Sequence, residues 1–508
     1  MKLGHFEDFS QALTHWSKYA SDKNYLHDLS TDRTYTYCAF DELVDKAVTL
    51  LKGRGLKKSS IVSIRIRNSA DFLILYFACI RLGAIVNPFP SSVSDVELKK
   101  SITFIKPKML ISETNLRSLK TPVLIVRPGE PGKDLESLIL KISRAPASPV
   151  DPKAVASLYL SSGTTGDPKG MLFSNENIIA RSRAVCEEFG HNSNSVHLGF
   201  LPMGHTSITD YSFLPLMYCG GTLILAENFS RIRNNFWDLL KKYSVQYVQT
   251  VPTVLFTILN TDYPARSFKN LKLPYVACGS APLPLSTQLE FKKRFGIPIA
   301  NLYGCSETGP AFIDDPRKKG WVPGSIGFPL KVHATKLFGA RSKQKIGELA
   351  IKSKTVCVGY HKNRAAYREA VRGGFFHTGD LAYKGKGGRY YFAERKKDLI
   401  IKGGTNIFPG EIDEVLFKHK DVSEASTIGV PNEFFGEDIV SFVVKKGSVS
   451  EKALLQHCEK HLQFLKRPSR IIFLDTIPKT YSGKLLRRKL RQLYQKEYAR
   501  TDSSTLKQ

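Results

Sequence analysis

The residues best placed to do chemistry cluster in Ser161-Ser162-Gly163-Thr164-Thr165-Gly166-Asp167-Pro168-Lys169-Gly170. Small residues let a backbone approach a ligand closely, hydroxyls and amides donate hydrogen bonds, and Lys169 adds a positive charge. That combination suits phosphate. It is not a Walker A loop, because no Gly-Lys-Ser/Thr follows four variable residues. The flanking runs, Val155 to Leu160 and Met171-Leu172-Phe173, are strand-like, so the loop is expected at the tip of a hairpin. Alone, such a cluster is equally compatible with an ordinary surface turn.

Four further motifs keep it company: Asn301-Leu-Tyr-Gly-Cys-Ser-Glu-Thr308, Thr378-Gly-Asp380, Glu394-Arg-Lys-Lys-Asp-Leu-Ile-Ile-Lys-Gly-Gly404 and Ser482-Gly-Lys484. In this order the five resemble the core motifs of the adenylate-forming superfamily, which holds acyl-CoA synthetases, peptide-synthetase adenylation domains and luciferases. The resemblance runs from residue 30 to residue 490, and Gly403-Gly-Thr-Asn-Ile-Phe-Pro-Gly-Glu-Ile-Asp413 resembles the fatty-acid branch of the acyl-CoA synthetases. It implies activation of a carboxylic acid by ATP and Mg²⁺ as acyl-AMP, then transfer to coenzyme A.

The resemblance also implies roles. Ser161, Ser162, Gly163, Thr164, Thr165, Gly166 and Lys169 would wrap the phosphates, and the Ser306 hydroxyl would face the α-phosphate. Glu307 lies at a strand end, where ligand groups of open α/β sheets collect, and would hold Mg²⁺ with Thr164. Adenine would lie between Gly279-Ser280-Ala281 and Tyr303, with Asn301 at its polar edge. Asp380 and Arg395 would hold the ribose, and Lys397 would be the hinge of a small domain. Lys484, on a Gly-containing tip, would stabilise charge during adenylation only while docked. Gly403 and Gly404 would then line the coenzyme A tunnel, and His205 would sit beside the acyl carboxylate. A packed core histidine is the bland alternative for His205.

The substrate is less legible. Met203, Thr206, Tyr211, Thr250, Val251, Pro252, Cys278 and Pro310 form the expected pocket wall, mostly apolar, which points to a fatty or other apolar acid. Asp210 lies beyond the position at which amino-acid-activating relatives hold the substrate ammonium, which disfavours an amino acid. His457 and His461 share a helix face, but without a third ligand they read as a solvated face.

Composition bounds the rest. At 508 residues, 42% hydrophobic and 24% charged, the chain is globular and too long for one ordinary core. Its net charge of +29 fits ATP and coenzyme A, or an acidic acyl carrier protein as alternative acceptor. No nucleic-acid module, signal peptide or membrane-span-length apolar run is found, and the eight cysteines form no CxxC pair. A cytoplasmic enzyme is expected; its oligomeric state is not legible. A pseudoenzyme or basic binding module is disfavoured by Glu307, Asp380, Arg395 and Lys484.

Positioning these residues requires an α/β scaffold. Strand–helix alternation from residue 34 to 303 predicts two layered α/β subdomains, with helices ending at Gly53, Gly83 and Gly296. An apolar helix is expected over Tyr211 to Tyr218, and a strand ending at Pro252. Short strands and Gly turns from Gly324 to Tyr391 predict a small β-barrel-like subdomain. The expected division is an N-terminal domain over 1–394, a hinge at 395–397 and a mobile α+β domain over 398–508.

Overall fold

The computed structural model describes residues 4–116, 118–144, 149–161, 169–340, 345–479 and 485–498. The alternation produces two mainly parallel sheets. One has seven strands, ordered Gly359–Tyr360, Lys169–Ser174, Val155–Ser161, Ile85–Pro88, Ile61–Arg65, Met109–Ser112 and Val123–Ile125. The other has nine, and its centre runs parallel through Ile299–Cys305, Val276–Cys278, Tyr247–Thr250, Val196–Gly199 and Thr222–Leu225.

One hydrophobic core contains residues of both sheets and the helix Ala70–Leu82. That helix is apolar all round and buried along its whole length, as a helix without a solvent face must be. Ser69 caps its start by accepting from the Phe72 amide, and Gly83, at φ 72°, ends it. The expected hairpin forms, with Ser161 paired to Lys169. Its tip, including Ser162, Gly163, Thr164, Thr165 and Gly166, lies outside the described residues.

Two helices differ from expectation. The expected strand over Tyr247 to Val251 forms as Tyr247–Thr250, and Pro252 beyond it opens an additional helix, Pro252–Leu259, since proline at a first helical position loses no hydrogen bond. The expected helix over Tyr211 to Tyr218 is instead a short turn Thr206–Ile208, a π-helical turn Thr209–Phe213 and an α-helix Leu214–Cys219. Such widened turns concentrate at functional sites.

After Gly324 the pattern switches to antiparallel pairing. Ala334–Phe338, Gly347–Lys352, Phe375–Lys384, Val371–Arg372 and Tyr390–Arg395 form a five-stranded sheet. The chain leaves it through the turn Lys396–Asp398 and enters another five-stranded sheet at Ile400–Lys402. That last unit has its own cores, built on Val422–Asn432 and Gly436–Lys445 and covered by Pro409–Phe417, Glu451–His461 and Arg487–Glu497.

Candidate active site

Strand ends of the nine-stranded sheet bring the first group together. Gly279 and Ser280 follow Val276–Cys278, and Asn301 and Tyr303 lie on the neighbouring strand Ile299–Cys305. A Cβ on Gly279 would stand 3.0 Å from both Leu302 Cβ and the Leu302 carbonyl oxygen, so this close strand approach favours glycine. Ser280 adopts φ 70°, a left-handed conformation uncommon for serine, which marks a constrained turn. The Asn301 amide donates to the Ser325 carbonyl at 2.8 Å. Ser280, Ala281, Asn301, Tyr303, Asp380, Arg395 and Lys397 all border one large cleft.

Asp380 and Arg395 face each other across the antiparallel pair Phe375–Lys384 and Tyr390–Arg395. Arg395 Nε lies 3.6 Å from Asp380 Oδ1, and the Tyr303 hydroxyl donates to Asp380 Oδ2 at 2.7 Å. The Asp380 amide donates to Thr378 Oγ1 at 3.1 Å, fixing the turn. One buried carboxylate is thereby tied to both sheets, a suitable acceptor for vicinal hydroxyls.

A second group surrounds Glu307. The Tyr360 hydroxyl donates to Glu307 Oε1 at 3.3 Å, and Lys169 Nζ lies 5.6 Å from the centre of the Tyr360 ring. The hairpin lysine and the Glu307 carboxylate thus share one aromatic neighbour. Ser306 Oγ accepts from Thr206 Oγ1 at 3.5 Å. The 306–307 backbone is held from below by Arg181, whose Nη2 donates to both carbonyls at 3.0 Å. Arg181 Nε donates to the Thr355 carbonyl at 2.9 Å, and Nη1 pairs with Asp210 at 2.9 Å. Asp210 is thereby committed to Arg181 rather than to a ligand ammonium. Burial, opposed by Arg181, pushes its carboxyl up to about 6.

A small cavity of about 30 Å³ adjoins the cleft, which shares Ser280, Leu302 and Gly304 with it. Its lining differs from the expected apolar wall. Thr206 and Tyr211 line it, but so do His205, Ser207, Asp210 and Gln249. Thr250 instead donates to the Ala277 carbonyl, and Pro252 borders the cleft. The reason is strand alternation: on Tyr247–Thr250 successive side chains take opposite faces, so Gln249 and not Thr250 reaches the cavity. His205 Nδ1 accepts from the Ser207 amide at 3.1 Å, which turns its other ring nitrogen toward the role of donor.

The small unit closes the cleft from the far side with Leu485, Arg487, Arg488 and Lys489. Lys479 and Leu485, which bracket residues 480–484, form an antiparallel bridge and both border the cleft. Lys484 itself lies outside the described residues. Buried Arg487 fastens this arrangement: Nη2 pairs with Asp413 at 2.7 Å and Nη1 with Glu394 at 3.2 Å. Glu394 Oε2 also accepts from the Gly410 amide, at the start of the helix Pro409–Phe417. Gly403 and Gly404, at φ 56° and 76°, form a turn beside Phe435, away from the cleft lining.

Residues 13–361 match the family model for the AMP-binding enzyme, and residues 411–484 match the AMP-binding enzyme C-terminal domain. The chain belongs to the AMP-binding enzyme family. Its relatives include the sulfoacetate–CoA ligase of Cupriavidus necator, 31% identical over 92% of this chain and 94% of that one. The 2-succinylbenzoate–CoA ligase of Bacillus cytotoxicus is 29% identical over 91% and 94%. Among solved structures, ATP-bound MatB from Rhodopseudomonas palustris superposes with a TM-score of 0.89 over 97% of this chain and all of that one, at 24% identity. Its fold is therefore that of an adenylate-forming enzyme of the acyl-CoA synthetase branch, an AMP-forming ligase using ATP, Mg²⁺ and coenzyme A. No helix among the described residues is long and apolar enough to cross a membrane.

The residues present fit those cofactors. The Gly279 cradle and Tyr303 suit adenine, Asp380 suits a ribose, and the Glu307 carboxylate is the hard oxygen donor that Mg²⁺ prefers. Bound there, Mg²⁺ would screen the charge between phosphate and acid. In an AMP-binding enzyme built this way, Asp380→Ala is expected to raise KM for ATP by about tenfold to a hundredfold, the worth of hydrogen bonds to a charged group. Steady-state kinetics with ATP varied would show it; an unchanged KM would remove Asp380 from the ribose site. Arg181, Tyr360 and Gln249 are the site residues that sequence motifs missed. Each lies outside the five motifs and comes into place only through folding.

Proposed function

We propose that this AMP-binding enzyme joins a compact, polar carboxylic acid to coenzyme A through acyl-AMP, in place of the fatty or other apolar acid expected from sequence. The polar lining of the 30 Å³ cavity carries this reading, because burying an alkyl chain there would strip hydrogen-bonding groups without replacing their partners. The relative named for sulfoacetate, a short acid with a second polar group, supports the compact and polar class, whereas the one named for 2-succinylbenzoate takes a larger, aromatic diacid.

The proposed roles follow the motifs, and the described geometry supports those of Asp380, Arg395, Tyr303, Ser306 and Glu307. Asp380 and Arg395 hold the ribose, Gly279, Ser280, Ala281, Asn301 and Tyr303 hold the adenine, and Ser306 faces the α-phosphate. Residues 161–166 and Lys169 take the terminal phosphates, and Glu307 with Thr164 takes Mg²⁺. His205, on the lining of the small cavity, would sit beside the acid's carboxylate, whose oxygen attacks the α-phosphorus and expels pyrophosphate. Residues 395–397, with Lys397 as pivot, then serve as the hinge between a 1–394 domain and a 398–508 domain.

Coenzyme A is the proposed acceptor. Purified protein with ATP, Mg²⁺ and a panel of acids should release AMP in a coenzyme A-dependent manner, with short polar acids ahead of octanoate. An acidic carrier protein loaded efficiently where coenzyme A yields nothing would overturn the acceptor. Its loading would also fall steeply with salt, since exposed charge pairs are screened within about 10 Å at 0.1 M. Octanoate outrunning every short acid would overturn the substrate class.

A further inference from the structure

We propose that Gln249 is a specificity-determining residue that hydrogen-bonds an uncharged polar group, a hydroxyl, carbonyl or amide, at the distal end of a short acid. The inference rests on the ligase reading above and deepens it. Gln249 is 5% exposed, lines the small cavity, and has no partner among the described residues for either Oε1 or Nε2. Three of its polar neighbours on the lining are engaged elsewhere: Asp210 on Arg181, Ser207 on His205, and Thr206 on Ser306. A buried primary amide with neither end satisfied is costly, and a chain retains one where a ligand supplies the partner.

The chemistry of that ligand follows from what the cavity offers. An amide presents two N–H donors and one carbonyl acceptor, so it matches a group that can accept, donate or do both. Among the described residues no lysine or arginine lines the cavity, and the nearby Arg181 has its donors committed to Asp210 and to the Thr355, Ser306 and Glu307 carbonyls. A second anionic group would therefore be desolvated without a counter-ion, whereas a neutral polar group meets its match. Size agrees. A cavity of about 30 Å³ has room for about two water-sized groups, which limits the acid to a few carbons beyond its carboxylate.

The test compares matched acids on wild type and on Gln249→Leu, a substitution of similar shape that cannot hydrogen-bond. The panel is 3-hydroxypropionate against propionate, 3-hydroxybutyrate against butyrate, and malonate and sulfoacetate as charged acids, with coenzyme A-dependent AMP release as readout. Wild type should prefer each hydroxy acid over its parent by about tenfold or more in kcat/KM, as expected when a site is built to hold a hydroxyl. Gln249→Leu should erase that ratio, mainly through KM for the hydroxy acid, and leave KM for ATP unchanged. The variant should also unfold at a higher temperature than wild type without acid, because it removes an unpaired buried amide; a structural role would shift the midpoint downward. Gln249→Glu, in case leucine perturbs packing, should lose the hydroxy acids without gaining the parents. An unchanged ratio in either variant overturns the assignment, as does a wild-type preference for malonate or sulfoacetate. No AMP release with any acid, while ATP still raises the unfolding temperature, overturns the ligase reading and this inference with it.

Discussion

Lys484→Ala is expected to lower acyl-AMP formation by about a hundredfold to a thousandfold, the usual worth of one preorganised charge at a developing anion. Lys479 and Leu485, the described residues on either side of 480–484, bridge each other and border the same cleft as Asp380 and Tyr303. The role of Lys484, which lies outside the described residues, rests on its Ser-Gly-Lys motif. Thioester formation from synthetic acyl-AMP and coenzyme A should survive in the same variant. Gly403→Leu should behave in the opposite sense, adenylating normally and failing to make thioester. Pyrophosphate exchange measures the first half-reaction, and thioester formation from synthetic acyl-AMP the second. Equal loss of both halves in Lys484→Ala would sink the assignment of the two halves to different faces of the small domain.

Arg181→Leu should destabilise the fold by about 3–5 kcal/mol, since it leaves Asp210 buried without its counter-ion. The deficit should depend on pH. Asp210 titrates near 6 in the fold against an ordinary value of 3.8, so the fold prefers it protonated, and stability falls as pH rises through that window. Without the guanidinium the carboxyl moves further up, so the variant loses more at pH 8 than at pH 5. Urea denaturation at the two pH values checks the sign. A second variant, Arg181→Leu with Asp210→Leu, separates two causes. Should the ion pair dominate, the double variant recovers most of the loss. Should the Ser306, Glu307 and Thr355 carbonyls dominate, it recovers little, because they still lack their donor. A deficit that does not deepen at pH 8 would remove the buried charge as its cause.

Much of the fold was legible because it is written locally. Period-3.6 stretches such as Tyr37–Gly53 and glycine stops such as Gly83 and Gly296 act within one turn of chain. The motifs around Glu307, Asp380 and Arg395 were legible for the same reason, each being a short run beside a strand end. Arg181 was not, because its meaning is assembled by contacts 29 to 174 residues away, and a mid-helix arginine ordinarily reads as surface. The small cavity departs from the expected wall by one residue of strand alternation. Thr250 turns to the Ala277 carbonyl, and Gln249 beside it lines the cavity together with the expected Thr206 and Tyr211. The docking of the small unit through Arg487, Glu394 and Asp413 depends on three distant segments whose meeting no spacing announces.

The widened turn at Thr209–Phe213 makes the range of acids evolvable by length as well as by substitution. A π-helical turn accommodates one residue more than an α-helix over the same rise. Deleting that residue would let the segment relax into regular helix with the residues on either side still in phase, because the widened turn itself absorbs the extra residue. The change would fall on the turn itself, which carries Asp210 and Tyr211 of the cavity lining, while the helix Leu214–Cys219 could keep its packing. A single deletion could thus reshape the cavity wall without disturbing the elements on either side.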